Sequence, residues 1–261
     1  LTVLEAGRLE VGTVDMPIAA DVTAEIVILD QPVDTTRDPD QLTRGLVGLG
    51  TVRMHGASKT PTFSRVVAEP LAGQTSLRLE QPVSGWNVGD TLVLPDTRQL
   101  VQGDRGESYV AQWEELQVAA ISGSTIMVSD PLAYDHRGAR DGAGAVEFFP
   151  HVGNISRNVI VRSENPVGTR GHVLFNNRAD VDIRYVLFKG LGRTRPGALD
   201  NVEYAVDGTL RHTGANQIGR YALHFHHTFG PTMPQANGYQ FTVIGNAIDD
   251  ASKWGITIHN S

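Results

Sequence analysis

Three stretches of this chain are versions of one another. Gly171-His172-Val173-Leu174-Phe175-Asn176-Asn177, Leu223-His224-Phe225-His226-His227 and Gly255-Ile256-Thr257-Ile258-His259-Asn260 align with Val173, Leu223 and Ile256 in one column. Phe175, Phe225 and Ile258 share a second column, and Asn176, His226 and His259 a third. Asn177, His227 and Asn260 share a fourth. Successive side chains of a strand point to opposite faces. The apolar columns therefore fall on one face, and His224, His226 and His259 on the other. A unit that cannot bury its apolar face alone must stack on copies of itself. The pattern predicts parallel strands about 4.8 Å apart, with apolar columns inside and imidazoles outside and reachable. His226 should neighbour His259, and His172 should open the earlier coil on the same face. The fourth column predicts an inward stack of Asn177, His227 and Asn260, since amides donate and accept along such a pile.

Other segments repeat as well. Val159 and Val161 match Val181 and Ile183, 22 residues on, and the segment from Val181 to Phe188 matches that from Phe241 to Ile248. A spacing near 20 residues per coil is a solenoid signature. The gap from Arg193 to Arg220 is too long for a turn and reads as an insertion lying over one face.

Before residue 151 the pattern changes. Short alternating segments such as Arg8-Leu9-Glu10-Val11 and Ser76-Leu77-Arg78-Leu79 alternate with turns, and the stretch from Gln31 to Gly45 reads as a loop. The segments from Glu115 to Ile121 and from Thr125 to Val128, joined through Ser122-Gly123-Ser124, predict a hairpin. No helix-period segment is present, so the class is all-β, with an N-terminal sandwich or roll over residues 1–150 and a parallel solenoid over 151–261. The net charge of −7 is uneven: residues 151–261 hold eleven Lys and Arg against eight Asp and Glu, which leaves eleven against twenty-one in residues 1–150. A C-terminal part near +3 suits an anionic ligand but is too weakly basic for nucleic acid. The absence of Cys excludes a disulfide framework and thiolate chemistry. No run of about 18 apolar residues predicts a membrane span. The opening Leu1-Thr2-Val3-Leu4 runs straight into a strand, so a mature or trimmed fragment is expected.

The first part also resembles a known module. Leu9-Glu10-Val11-Gly12-Thr13 with Pro17, Met54-His55-Gly56, Gly85-Trp86-Asn87-Val88-Gly89-Asp90 and Pro131-Leu132-Ala133-Tyr134-Asp135-His136 are similar to the eight-glycine domain. That domain occurs in cell-surface and secreted hyaluronidases of the cell-migration-inducing type and in fibrocystin-like proteins. The three repeated stretches resemble signature strands of the right-handed parallel β-helix that follows it there. Ala222 stands where that family usually has Pro, and Phe63-Ser64-Arg65 replaces its Trp-containing turn. The resemblance implies further coils beyond Ser261 and a secreted or cell-surface location. Its implied partner is hyaluronan or a related uronic-acid polymer. Asp135-His136-Arg137-Gly138 resembles the family's terminal turn and reads as a structural join.

The chemistry leaves several schemes open. His224, His226 and His259, with His172, have the spacing to hold one Zn, Ni or Cu ion. A hydrogen-bonded imidazole ladder and a metal-free acid–base role are the other readings. Glycoside hydrolysis usually needs two carboxylates roughly 5–10 Å apart, and Asp249 and Asp250, before the strand ending in His259, are the candidates. Asp200, Glu203 and Asp207 on the insertion could also reach the site. A lyase would instead use His226 as base with Arg211 or Arg220 as charge neutraliser. Arg193 and Arg195 are candidate forks for sugar carboxylates, and Tyr221 and Trp254 candidate stacking platforms. The expected function is therefore a polysaccharide-degrading protein, hydrolase or lyase. The alternative is a non-catalytic carbohydrate-binding or adhesion module with a structural metal or histidine site.

Overall fold

The computed structural model describes residues 1–100, 109–259 and 261. Every regular element among them is a strand. Among the described residues no helix is long and apolar enough to cross a membrane. The chain forms two compact units: Leu1–Ala57 with Arg157–Ser261, and Ser58–Ser156.

The first unit is a parallel β-helix of three sheets. One sheet runs Thr2–Val3, Leu46–Gly48, Val173–Asn177, Leu223–Thr228 and Ile256–His259. A second runs Arg8–Val11, Thr51–His55, Asp180–Arg184 and Phe241–Ile244, and a third Ala24–Ile28, Val159–Ser163, Val186–Lys189 and Ala247–Asp249. All these neighbours pair in parallel. The chain visits the three sheets in turn and then steps up one rung. Alternation explains the bore: Val181 and Ile183 of the second sheet, Val159 and Val161 of the third, and Phe175 and Phe225 of the first are all buried in one apolar cluster.

This division differs from the boundary expected near residue 150. The first 57 residues supply one full coil and two strands of the next, and residues 58–156 are inserted between Thr51–His55 and Val159–Ser163 of a single coil. A hundred intervening residues hide the period from any reading of sequence spacing. One expected repeat also differs. Val159 and Val161 pair with Val186 and Phe188, 27 residues on, and not with Val181 and Ile183. The other repeat is as expected, since Val181 pairs with Phe241 and Phe188 with Ile248.

The inserted unit has its own core, centred on Leu77, Trp86, Leu92, Leu116, Ile126 and Val152. Its six-stranded antiparallel sheet includes the expected hairpin, Glu114–Ser122 with Thr125–Val128. The two edge strands meet through a Val66–Leu79 bridge, so the sheet closes into a roll. Inside it Lys59 Nζ donates to Asp90 Oδ2 at 2.6 Å and to the Gly85 carbonyl at 2.9 Å, and Asn154 Nδ2 donates to the same carboxylate at 2.7 Å. A buried ion pair needs this full set of partners to offset its desolvation. His136, in the expected terminal turn, is buried between the Pro95 carbonyl and the Glu114 carboxylate, both at 2.8 Å, which fits a structural role.

Candidate functional site

The site grows from the strand Leu223–Thr228. Leu223 and Phe225 point into the bore, where the Phe225 ring lies 5.2 Å from that of Phe175 and stacks on Phe241 at 4.3 Å. The register is the expected one: Asn176 pairs with His226, and His226 with His259. His224, between the two bore residues, must point outward, and so must His226.

The three outward imidazoles converge. His224 Nε2 lies 2.9 Å from His259 Nε2, and His226 Nδ1 lies 3.2 Å from the same atom. The expectation that all three stay on an open surface needs one correction. His224 is only 2% exposed, because the segment after Arg193 folds back over it. The Gly219 carbonyl sits 2.9 Å from His224 Nδ1, and the Tyr221 ring packs edge-on at 5.0 Å. His226 and His259 are half-buried. They open, with Leu174, Ile218, Gly219 and Arg220, onto a cavity of about 130 Å³.

The inward stack of the fourth column does not form. Asn177 and His227 are exposed and adopt left-handed φ values of 53° and 50°. Asn tolerates that region better than most residues. The register slips here, so Asn177 pairs with Thr228. His227 instead meets the His226 ring edge-on at 4.2 Å. Asn260 lies outside the described residues.

The protonation pattern tests whether a metal fits. A carbonyl cannot donate, so His224 Nδ1 carries the proton that binds Gly219. Burial first, with the neighbouring His226 and His259 charges, pushes His224 down to about 4 against the opposing Gly219 bond. The ring is therefore neutral and its Nε2 holds a lone pair. His226 is also shifted down, by burial and then by His227, His259 and Arg220. Three nitrogens thus face one another, and a single N–H on His259 Nε2 cannot serve both neighbours well. A divalent ion would accept a lone pair from each of the three. Tetrahedral coordination with metal–nitrogen bonds of about 2.0–2.1 Å spaces ligand nitrogens roughly 3.3 Å apart. The donor atoms here all lie within 4.8 Å of one another. Three imidazoles with a fourth position left open is the donor set of a reactive site.

His172 stands apart from this group. It is fully buried, and neither ring nitrogen makes a well-formed hydrogen bond. Burial, then the charges of Arg193 and Arg220, hold it far below its ordinary range, with the Arg44 backbone opposing. His55, 2% exposed beside Asp182, is also shifted down, chiefly by burial. Both rings are neutral in the fold and free to protonate when it opens. Stability is therefore complete above the unfolded histidine pKa of about 6.5 and falls as pH drops below it, by about 1.4 kcal/mol per pH unit for His172, whose shift is large, with His55 adding in the same direction. Urea unfolding between pH 7.5 and 5 should show this slope, and His172→Leu should remove one ring's share. An unchanged slope in that variant would mean that His172 is charged or accessible.

The remaining candidates scatter. Asp249 pairs with Lys189 at 3.0 Å and Asp250 with Arg170 at 3.3 Å, at the end of the third sheet. Neither lines the histidine cavity, and no other Asp or Glu among the described residues does. Arg211 is exposed on the small ribbon formed by Glu203–Tyr204 and Leu210–His212. In the same insertion His212 is shifted up by Asp200, 2.5 Å away. Asp207 caps its own turn at Thr209. Arg220 does reach the cavity, while Arg193 and Arg195 line a neighbouring one. Tyr221 is buried, its ring 5.1 Å from that of the half-exposed Trp254. Sequence spacing missed Gly219, whose carbonyl orients His224. Its one signal was a glycine five residues before a histidine, and it takes a φ of 85°.

No protein-family model matches the chain. Among curated proteins it is similar to a G8 domain-containing protein of Dictyostelium discoideum, 27% identical over 180 residues, covering 68% of this chain and 13% of that protein. It is also similar to the Cell migration-inducing and hyaluronan-binding protein of Homo sapiens, 28% identical over 166 residues, covering 62% of this chain and 11% of that protein. The chain thus spans roughly a tenth of the length of these relatives. Among solved structures it is similar to the tailspike of Pseudomonas phage phi297, at 9% identity and a TM-score of 0.29 over 95% of this chain and 36% of the other. A tailspike of Acinetobacter baumannii bacteriophage AP22, solved with capsular saccharide, matches at 12% identity and a TM-score of 0.30 over 100% of this chain and 38% of the other.

Proposed function

We propose that this protein acts outside the cell on an acidic polysaccharide, hyaluronan or a related uronic-acid polymer. The polymer lies across the His224–His226–His259 face, and those residues hold one divalent transition metal. The observation that carries the reading is the meeting of three imidazole nitrogens, two of them 2.9 and 3.2 Å from the third, at the mouth of a cavity. The choice of polymer leans on the human relative, which is named for binding hyaluronan.

His224 is the fixed ligand, oriented by Gly219. His226 turns Nδ1 towards the cluster, so as a neutral ligand it would carry its proton on Nε2 and offer that N–H as a hydrogen-bond donor to the polymer. The downward shift keeps that ring neutral at neutral pH, so its Nδ1 lone pair is available to a metal. Arg220 sets a positive charge on the cavity wall, where a uronic carboxylate is favoured. A bound divalent ion would polarise an oxygen of the polymer at the open position. The arrangement does not suit the two-carboxylate division of labour, because no carboxylate of the described residues lines the cavity. That same observation favours a second reading, a binding module whose metal is structural.

Incubation with hyaluronan, with and without chelator, separates the two. Shortening of the polymer that chelator abolishes and zinc restores is the expected result. Retention of the polymer without shortening assigns the module, and neither retention nor shortening refutes both.

A further inference from the structure

A second cavity, of about 300 Å³, lies on the other side of Arg220 and is lined by Arg170, Arg193, Arg195 and Arg220. Four guanidiniums around one space need an explanation. The Arg193 guanidinium donates to the carbonyls of Gln41 at 2.6 Å, Arg44 at 2.8 Å, and Thr43 and Arg170 at 2.9 Å. Arg220 donates to the carbonyls of Ile218 at 2.8 Å, Gln41 at 3.2 Å and Asp40. Arg195 donates to the Ala215 carbonyl at 3.1 Å. Carbonyls hold a guanidinium in place without cancelling its charge. Among the described residues only Arg170 of the four meets a carboxylate within 4 Å, that of Asp250.

Two further observations agree. The Nε atoms of Arg170 and Arg193 are buried and have no acceptor. Arg193 is pushed down to about 10, by burial and then by the Arg220 charge, while Asp38 opposes. Asp38 also accepts from the Leu42 and Thr43 amides and the Thr43 hydroxyl, and with Asp40 it offsets part of the charge at Arg220 as well. Asp38, Asp40 and Asp250 are three carboxylates beside four guanidiniums, so the cluster keeps a net positive charge.

We propose that this cavity is an anion subsite, taking the carboxylate or sulfate of a sugar adjacent to the one at the histidines. Arg220 is the shared wall between the two cavities. The proposal rests on the polysaccharide reading above. An oxyanion there lowers the repulsion between Arg193 and Arg220.

Arg195 is the residue to change, because it is exposed and its side chain holds one carbonyl, so R195Q should fold. Arg170→Gln is the second variant. Binding is measured to hyaluronan, to chondroitin sulfate and to neutral dextran, with H226A alongside and thermal unfolding as the check on folding. The expected result is a loss of about tenfold or more for each Arg variant on the acidic polymers, the scale of one charge-assisted contact, with a shallower salt dependence. Dextran binding should be negligible throughout. A loss on both acidic polymers assigns the carboxylate, and a loss on chondroitin sulfate alone assigns the sulfate. Unchanged affinity in both Arg variants while H226A is weakened overturns the subsite and leaves the histidine reading standing. Failure of the unmodified protein to bind any acidic polymer overturns both.

Discussion

Replacing His259 with Ala is expected to abolish stoichiometric zinc binding. His259 Nε2 is the vertex of the cluster, 2.9 Å from His224 Nε2 and 3.2 Å from His226 Nδ1. Its removal leaves two nitrogens, fewer than a stable transition-metal site needs. Loss of a partner one shell further out already costs about 10–100-fold in metal affinity, so loss of a ligand should exceed that. Thermal unfolding gives a second readout. A metal present at about 100 times its dissociation constant adds about 2.7 kcal/mol to stability, and this gain should appear in the unmodified protein and vanish in His259→Ala. The imidazole ladder makes the opposite forecast. There zinc does nothing to either protein, and the variant loses stability by itself, because the buried Nε2 of His224 loses its neighbour, at a cost of about 1–3 kcal/mol. Metal analysis after purification without nickel resin decides between them.

Phe225→Ala should destabilise the β-helix by about 3–5 kcal/mol, the usual cost of truncating a buried Phe. The ring is fully buried, touches Phe175 at 5.2 Å and stacks on Phe241 at 4.3 Å. Those contacts join two rungs and two sheets, so collapse of the neighbours into the void is restricted. The contrast with the next residue is the sharper test. His226→Ala, at a half-buried position on the opposite face, should alter stability by no more than about 1 kcal/mol while removing function. Chemical denaturation of the two variants reads both. A cost above about 3 kcal/mol for His226→Ala would mean that the ring is part of the core, and would invalidate the face assignment.

The alternation of Leu223, His224, Phe225 and His226 was enough to place the apolar pair inside and the imidazole pair outside. The aligned columns were enough to bring His226 beside His259. Both follow from the period of two along a strand and from the uniform spacing of parallel rungs. Where the backbone leaves that period, the reading failed. Asn177 and His227 turn left-handed, and the residues expected to stack inward are in solvent.

What the sequence alone determined, then, is whatever a strand's own geometry decides: the all-β class, the inside and outside of the first two repeats, and the partners of His226; in the third, Ile256 and Ile258 are exposed. Tertiary structure decided the rest. It showed that residues 58–156 interrupt one coil and that Leu1–Ala57 belongs to the helix. It also brought the segment after Arg193 back over His224 and buried His172 beyond the reach of its expected partners. It turned Arg193 and Arg220 onto backbone carbonyls from the loop before Gly45. Each of these joins residues far apart in the chain, and no local period encodes which loop covers which face. That is settled only when the packed coils leave particular donors without water and particular carbonyls within reach.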